Sequence, residues 1–165
     1  MIALMQLHLM SYGTTIYAMW QDRSRAANLM QVLGGRQVFG ARAHRVDLLA
    51  EIERGLPIKA YERVAHTLAL SPDEEDRLLQ VSLRTRARWK RRSRLDPAVS
   101  DRVARLARIL ALAEEVLEDR SHAVGWLREP SESLGGRRPL EVLATDAGAE
   151  KVSNLLYQME YGLYA

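Results

Sequence analysis

Two pairs of adjacent carboxylates, Glu114-Glu115 and Glu118-Asp119, come closest to an acid–base couple in this 165-residue chain. General acid–base chemistry needs a further polar group converging on the same atom. None accompanies them, so they read as a solvated helix face. The four histidines, His8, His44, His66 and His122, are scattered, and none stands at metal-ligand spacing from another. His66 and His122 are expected as surface or hydrogen-bonded structural residues. The chain has no cysteine, which excludes disulfides, thiolate metal sites and cysteine nucleophiles and fits a reducing compartment. Ser82 and Ser100 read as helix caps rather than nucleophiles. Gly34-Gly35 and Gly135-Gly136 neither follow a strand nor carry the Lys-Ser/Thr tail of a phosphate loop. The expected inventory is no catalytic residue, no metal and no cofactor.

Binding chemistry is better represented. Residues 84–94 hold Arg84, Arg86, Arg88, Lys90, Arg91, Arg92 and Arg94 with no acidic residue among them. Cations at this density suit phosphate contact, and an arginine can bridge O6 and N7 of a guanine. Ser82 and Thr85 add hydroxyls for phosphate. The same cluster is also what a solvated face looks like, or a partner for the acidic run Asp73-Glu74-Glu75-Asp76. Trp89, inside the cluster, is expected as a core anchor rather than a base-stacking residue.

Residues 123–165 contain no nucleophile–base pair and end on Met159, Tyr161, Gly162, Leu163, Tyr164 and Ala165. An aromatic, apolar tip beside a glycine is suited to filling a partner's pocket, since tyrosine is rigid and amphipathic. Folding of the last helix onto its own domain is the bland alternative, and Met159 is expected to do so.

These groups need helices to position them. Gly55-Leu56-Pro57 separates helical segments 46–54 and 58–69. Ser71-Pro72-Asp73-Glu74 is a strong helix start, with Ser71 as cap, Pro72 at the first position and Glu74 completing a capping box. Leu78, Leu79 and Val81 are the apolar residues of that short helix, and Ser82 caps the next. Two short helices tightly joined, the second rich in arginine, form a helix-turn-helix pattern. Asp96-Pro97 opens a long helix with Asp96 as cap. On it Val99, Val103, Leu106, Leu110, Ala113 and Leu117 recur at helical spacing, a stripe suited to a core or a dimer interface. Trp126 and Leu127 lie on a helix that Pro130 ends. Pro139 opens a short helix to Ala144, and Thr145 or Asp146 caps the last one. There Val152, Leu155, Leu156 and Met159 share one face. Alternation with period two is rare, so the fold class is all-α.

At this length one domain or two small ones fit. Hydrophobic content of 47% supports a core, and a net charge of +3 makes the distribution of charge more telling than its total. Residues 1–10 are apolar, yet the first basic side chain other than His8 is Arg23; a secretory signal needs a positive flank before its apolar run. No window has the 18 or so apolar residues of a membrane helix. Residues 1–30 are expected as a helical or irregular extension.

Several of these residues resemble a known family. Trp126-Leu127 with Pro130, Leu134-Gly135-Gly136, Pro139-Leu140-Glu141-Val142-Leu143, Gly148-Ala149, Val152, Leu156 and the run Glu160–Ala165 look like the toxin-binding domain of Xre/MbcA/ParS-type antitoxins. Gly55-Leu56-Pro57, Leu68, Leu70-Ser71, Leu78-Leu79, Ser82 with Arg84-Thr85, and Leu95 followed by Ser100-Asp101-Arg102 are similar to the Xre-like helix-turn-helix of the same proteins. The resemblance covers about residues 46–165. The chain departs from it at Gln80, where the turn usually carries glycine, and at Arg86, where the second helix usually has an apolar residue. Trp89 or Leu83 is expected to supply that packing.

The resemblance implies an all-α, homodimeric, cytoplasmic bacterial antitoxin without catalysis of its own. Its partner would be a RES-domain toxin that uses NAD⁺ (consuming it or ADP-ribosylating a target), whose NAD⁺ site the antitoxin's last residues fill. Its helix-turn-helix would bind operator DNA and repress the shared promoter. The resulting division is an extension at 1–45, a helix-turn-helix and dimerisation domain at 46–120 and a toxin-binding domain at 121–165. DNA contact falls to Ser82, Arg84, Thr85, Arg88, Lys90, Arg91 and Arg92. Toxin contact falls to Trp126, Arg137, Arg138, Tyr157, Tyr161, Gly162, Leu163, Tyr164 and Ala165. Val103, Leu106 and Leu110 are the expected dimer contacts. The rival reading is a transcriptional regulator with a C-terminal ligand-binding or dimerisation domain and no toxin; an enzyme is disfavoured because no acid, base, metal or nucleophile set converges.

Overall fold

A computed structural model describes residues 25–89 and 92–162 of the chain. Helix α1 covers residues 25–32. It is followed by α2 (Gly35–Phe39), a 3₁₀ turn (Gly40–Arg45), α3 (Leu48–Arg54), α4 (Ile58–Thr67), α5 (Pro72–Leu79) and α6 (Leu83–Trp89). Then come α7 (Pro97–Val116), α8 (Arg120–Arg128), a second 3₁₀ turn (Glu132–Leu134), α9 (Pro139–Val142) and α10 (Asp146–Glu160). Among the described residues the only extended pairing is two isolated bridges, Pro57 with Arg94 and Ser131 with Arg137.

Local chemistry starts and stops these helices where the sequence places the signals. Ser71 and Glu74 form a complete capping box on α5, with Pro72 in the first turn. Thr145, not Asp146, caps α10 by accepting from the Gly148 amide at 3.1 Å. Asp96 occupies the N-cap position of α7, but its side chain makes no cap bond; the carboxylate accepts from Arg92 instead. Ser100 is not a cap either. It is fully buried and bridges, donating to the Asp96 carbonyl and accepting from the Leu56 amide at 2.7 Å. Gly55 has φ 86°, and a Cβ there would lie 2.0 Å from the Leu95 carbonyl oxygen. Only glycine fits that approach of the α3–α4 turn to the strand-like residues after α6.

The long helix α7 runs through the middle, packing against α3, α4, α5, α8 and α10. One hydrophobic cluster extends from Val32 through Leu56, Leu79 and Leu110 to Leu127, Leu140 and Leu156. This corrects the dimerisation expectation. Val103, Leu106 and Leu110 keep 2% or less of their surface exposed within the single chain, so they fill its own core and offer no area to a second copy.

The described part of the N-terminal segment is a built-in piece of that core. Leu33 is fully buried and Val32 nearly so. Asn28 donates to the Ala111 carbonyl at 2.8 Å. Arg25 reaches Glu115 and Glu160, both at 3.2 Å, with its guanidinium over the Tyr157 ring. Residues 1–24, where the apolar N-terminal run falls, lie outside the described residues.

Candidate nucleic-acid and partner interfaces

The joint between α5 and α6 is short because Gln80 adopts the left-handed conformation, φ 50° and ψ 48°. This is the position at which glycine is usual, and a non-glycine residue there is mildly strained. Gln80 is held from both sides: its Nε2 donates to the Ala144 carbonyl, and its Oε1 accepts from Arg102. The Arg86 departure resolves in a comparable way. Its side chain is largely buried and ion-pairs with Glu75 and, at 2.9 Å, with Asp76. The packing comes from Trp89, which is 3% exposed and meets Tyr61 edge-on at 5.1 Å. Leu83 does not contribute, being 67% exposed.

The basic cluster therefore divides. Arg86 pairs with the acidic helix before it. Arg94 bonds Glu51 and the Gly55 carbonyl. Arg92 makes an exposed pair with Asp96 at 2.9 Å, an interaction weak enough to yield to a phosphate. Arg84 and Arg88 are exposed, one helical turn apart, with no carboxylate within 4.0 Å among the described residues. Together with Ala87 and Arg92 they border a cleft of about 510 Å³. Ser82 caps α6 by accepting from the Thr85 amide, and the two hydroxyls bond each other at 3.1 Å; their first duty is local. Lys90 and Arg91 fall outside the described residues.

At the other end of the molecule, Val152 and Leu156 are buried and Leu155 and Met159 half-buried, so α10 is anchored along the face its periodicity marks. Past that anchor Tyr161 is 58% exposed and Gly162 turns with φ 64°. Leu163, Tyr164 and Ala165 lie outside the described residues. Trp126 is half-buried against the core. Arg137 is exposed, whereas Arg138 is engaged with Glu141 at 2.7 Å. The Arg138 guanidinium holds the Glu141 carboxyl below the usual carboxylate range. Tyr157 lies half-buried beneath Arg25. Arg138 and Tyr157 thus have side-chain partners within the chain; Arg137 donates to the Leu134 carbonyl at 3.3 Å yet stays exposed, as do Tyr161 and Gly162.

Sequence reasoning missed the joint between these two surfaces. Glu74 on α5 is 7% exposed and takes two bonds from Arg128 of α8, at 3.1 and 3.0 Å. Arg128 also donates to the carbonyls of Leu68 and Ala69, and Arg138 stands 3.8 Å from Glu74. With the Gln80–Ala144 bond, α5 is tied at both ends to the C-terminal helices. The capping box made Glu74 visible; nothing local announced Arg128 as its partner. Among the described residues no group of three or more acidic or histidine side chains could hold a metal, and no helix is long and apolar enough to cross a membrane.

A helix-turn-helix with an exposed cationic second helix, joined to further short helices through a shared core, defines the class of all-helical helix-turn-helix proteins. Residues 47–108 match the antitoxin Xre-like helix-turn-helix domain, and residues 112–162 match the antitoxin Xre/MbcA/ParS C-terminal toxin-binding domain. An Antitoxin Xre of Pseudomonas putida is 36% identical over 94 residues, which is 56% of this chain and 58% of that protein's length. An Antitoxin Xre of Yersinia enterocolitica is 29% identical over 77% of this chain and 88% of its own. A Prs ADP-ribosylating antitoxin of Sphingobium sp. is 29% identical over 75% and 84% respectively. The chain belongs to the Xre/MbcA/ParS antitoxins.

Proposed function

We propose that this protein neutralises a RES-domain toxin by placing residues Tyr161–Ala165 in the toxin's NAD⁺ site, and that it represses its own operon through α6. The observation carrying the first part is the contrast along α10: an apolar face buried as far as Leu156, then an exposed Tyr161 at the exit. A dinucleotide pocket is deep, and an aromatic segment fills it without chemistry of its own. Arg137, which is exposed, and Trp126 would add contacts to the toxin. The chain acts as a homodimer in the cytoplasm, with 46–120 serving DNA and 121–165 serving the toxin. Its dimer interface lies away from Val103, Leu106 and Leu110. Two copies present two α6 helices to a palindrome.

The test is co-expression with the product of the neighbouring gene, followed by co-purification and an NAD⁺-consumption assay. Complex formation and suppressed consumption are expected. A neighbour with no effect on NAD⁺, or none that binds, contradicts the toxin reading and leaves a plain regulator. For the DNA surface, Arg84→Ala with Arg88→Ala is expected to weaken operator binding and flatten its log–log salt dependence by about 2, since each phosphate contact contributes roughly 0.9. An unchanged slope removes α6 as the DNA reader.

A further inference from the structure

The N-terminal segment that packs beside α4 carries a second cationic surface. Between Ser24 and Val46 the chain has Arg25, Arg36, Arg42, His44 and Arg45 and no acidic residue. Arg25 is consumed by Glu115 and Glu160. Arg36, Arg42 and Arg45 are exposed, with no carboxylate within 4.0 Å among the described residues. The preceding 24 residues contain one acidic residue, Asp22, and one arginine, Arg23, so they bring no net charge to offset these three. The whole chain has a formal net charge of +3. Together with Arg84 and Arg88 of α6, these three arginines are exposed cations with no described carboxylate within 4.0 Å.

The stretch is mounted firmly on α4. Gln37 accepts from Arg63 of α4 at 3.2 Å, and Gly34 abuts the Arg63 stem. Leu33 beneath it is fully buried. Gln37 and Val38 line a cleft of about 1150 Å³ with Lys59, Arg63 and Arg120. Lys59 also lines the adjoining groove, together with Leu83, Ala87 and Arg92 at α6. Lys59 and Glu62 thus line both clefts, the one bordered by Gln37 and Val38 and the one at α6, while Arg36 borders a further cleft with Met30, Ala43 and His44.

We infer that Arg36, Arg42 and Arg45 contact the phosphate backbone of duplex DNA beside the site that α6 reads, with Lys59 between them. This rests on α6 being a DNA reader. Such contacts add affinity and fix register without reading sequence. They also steer encounter, adding to the exposed Arg84 and Arg88 of α6.

The experiment uses the full-length protein, a duplex from upstream of its own coding sequence and a scrambled duplex of equal length. Binding is measured by fluorescence anisotropy across a salt series. The triple variant Arg36→Gln, Arg42→Gln, Arg45→Gln should lose affinity for both duplexes by the same factor. Its salt slope should flatten by about 2 to 3, on roughly 0.9 per phosphate. The triple Arg→Lys variant should restore the slope, since lysine serves as a point charge, and Glu62→Gln should strengthen binding to both duplexes. An unchanged slope in the triple Gln variant, with the Arg84/Arg88 variant still impaired, overturns this inference and leaves α6 intact as the reader. No change in either variant overturns both. Unchanged DNA binding with lost toxin co-purification overturns it as well, by assigning the segment to the toxin.

Discussion

Gly148→Ala is expected to destabilise the protein by about 3 kcal/mol, near the top of the usual cost of forcing atoms into a packed site. Helix propensity points the other way, since alanine is better than glycine inside a helix by about 1 kcal/mol. Sterics decide the outcome. Gly148 is in the first turn of α10, and a Cβ there would stand 1.8 Å from the Val142 carbonyl oxygen and 2.7 Å from its carbon. Both obstacles are backbone, so no rotamer change relieves them. Moving α10 away would also disturb the Thr145 cap and the burial of Val152 and Leu156 against α7. For a domain of this size the thermal midpoint should fall by roughly 6–12 °C. A midpoint that rises, as propensity alone dictates, would show that α9 and α10 do not meet this closely.

Glu74→Ala is expected to cost about 3 kcal/mol, the lower end for removing one member of a buried, hydrogen-bonded pair. The loss combines the two Arg128 bonds with the carboxylate half of the α5 capping box. It stays at the lower end because Arg128 keeps the Leu68 and Ala69 carbonyls as acceptors. Glu74→Gln, which preserves the shape, should cost less. The pH dependence has a definite sign. Burial opposes ionisation of Glu74, but the Arg128 bonds and the Ser71 amide outweigh it and hold the carboxyl below the ordinary glutamate range. Its stabilisation is therefore complete above the unfolded value of about 4.3 and disappears as the pH falls through the lower, folded value. Urea midpoints of wild type and Glu74→Gln should differ at neutral pH and converge in acid. Parallel curves would mean that Glu74 is not ionised in the pair.

The helices were legible because their starts and stops are local chemistry: Ser71-Pro72-Asp73-Glu74, Gly55-Leu56-Pro57, Asp96-Pro97 and Pro139 each act within a turn or two. The α7 stripe was equally legible, but periodicity reports that a face is apolar and not which surface covers it. Val103, Leu106 and Leu110 were assigned to a partner when the chain covers them itself. Residues 25–45 escaped notice because Gly34-Gly35 and Gly40 cut them into pieces too short for a periodic signal. Arg86 stood out as a charged residue at a usually apolar position, and the acidic start of α5, already offered as a partner for the basic cluster, holds its partners. The Glu74–Arg128 pair spans 54 positions, and pairing at that distance follows only from how α5 and α8 pack. On the toxin side, the outward Tyr161 was legible from composition, whereas the prior engagement of Arg138 and Tyr157 was not.

Separate duties for α6 and for Tyr161–Ala165 are tested most directly by deleting Gly162–Ala165. The truncated protein would be compared with the full chain in two assays: NAD⁺ consumption by the co-expressed toxin and operator binding by the antitoxin alone. The expected result is NAD⁺ consumption restored towards that of free toxin, with operator affinity and its salt slope unchanged. Full suppression of the toxin without these residues, or equal loss in both assays, would contradict it.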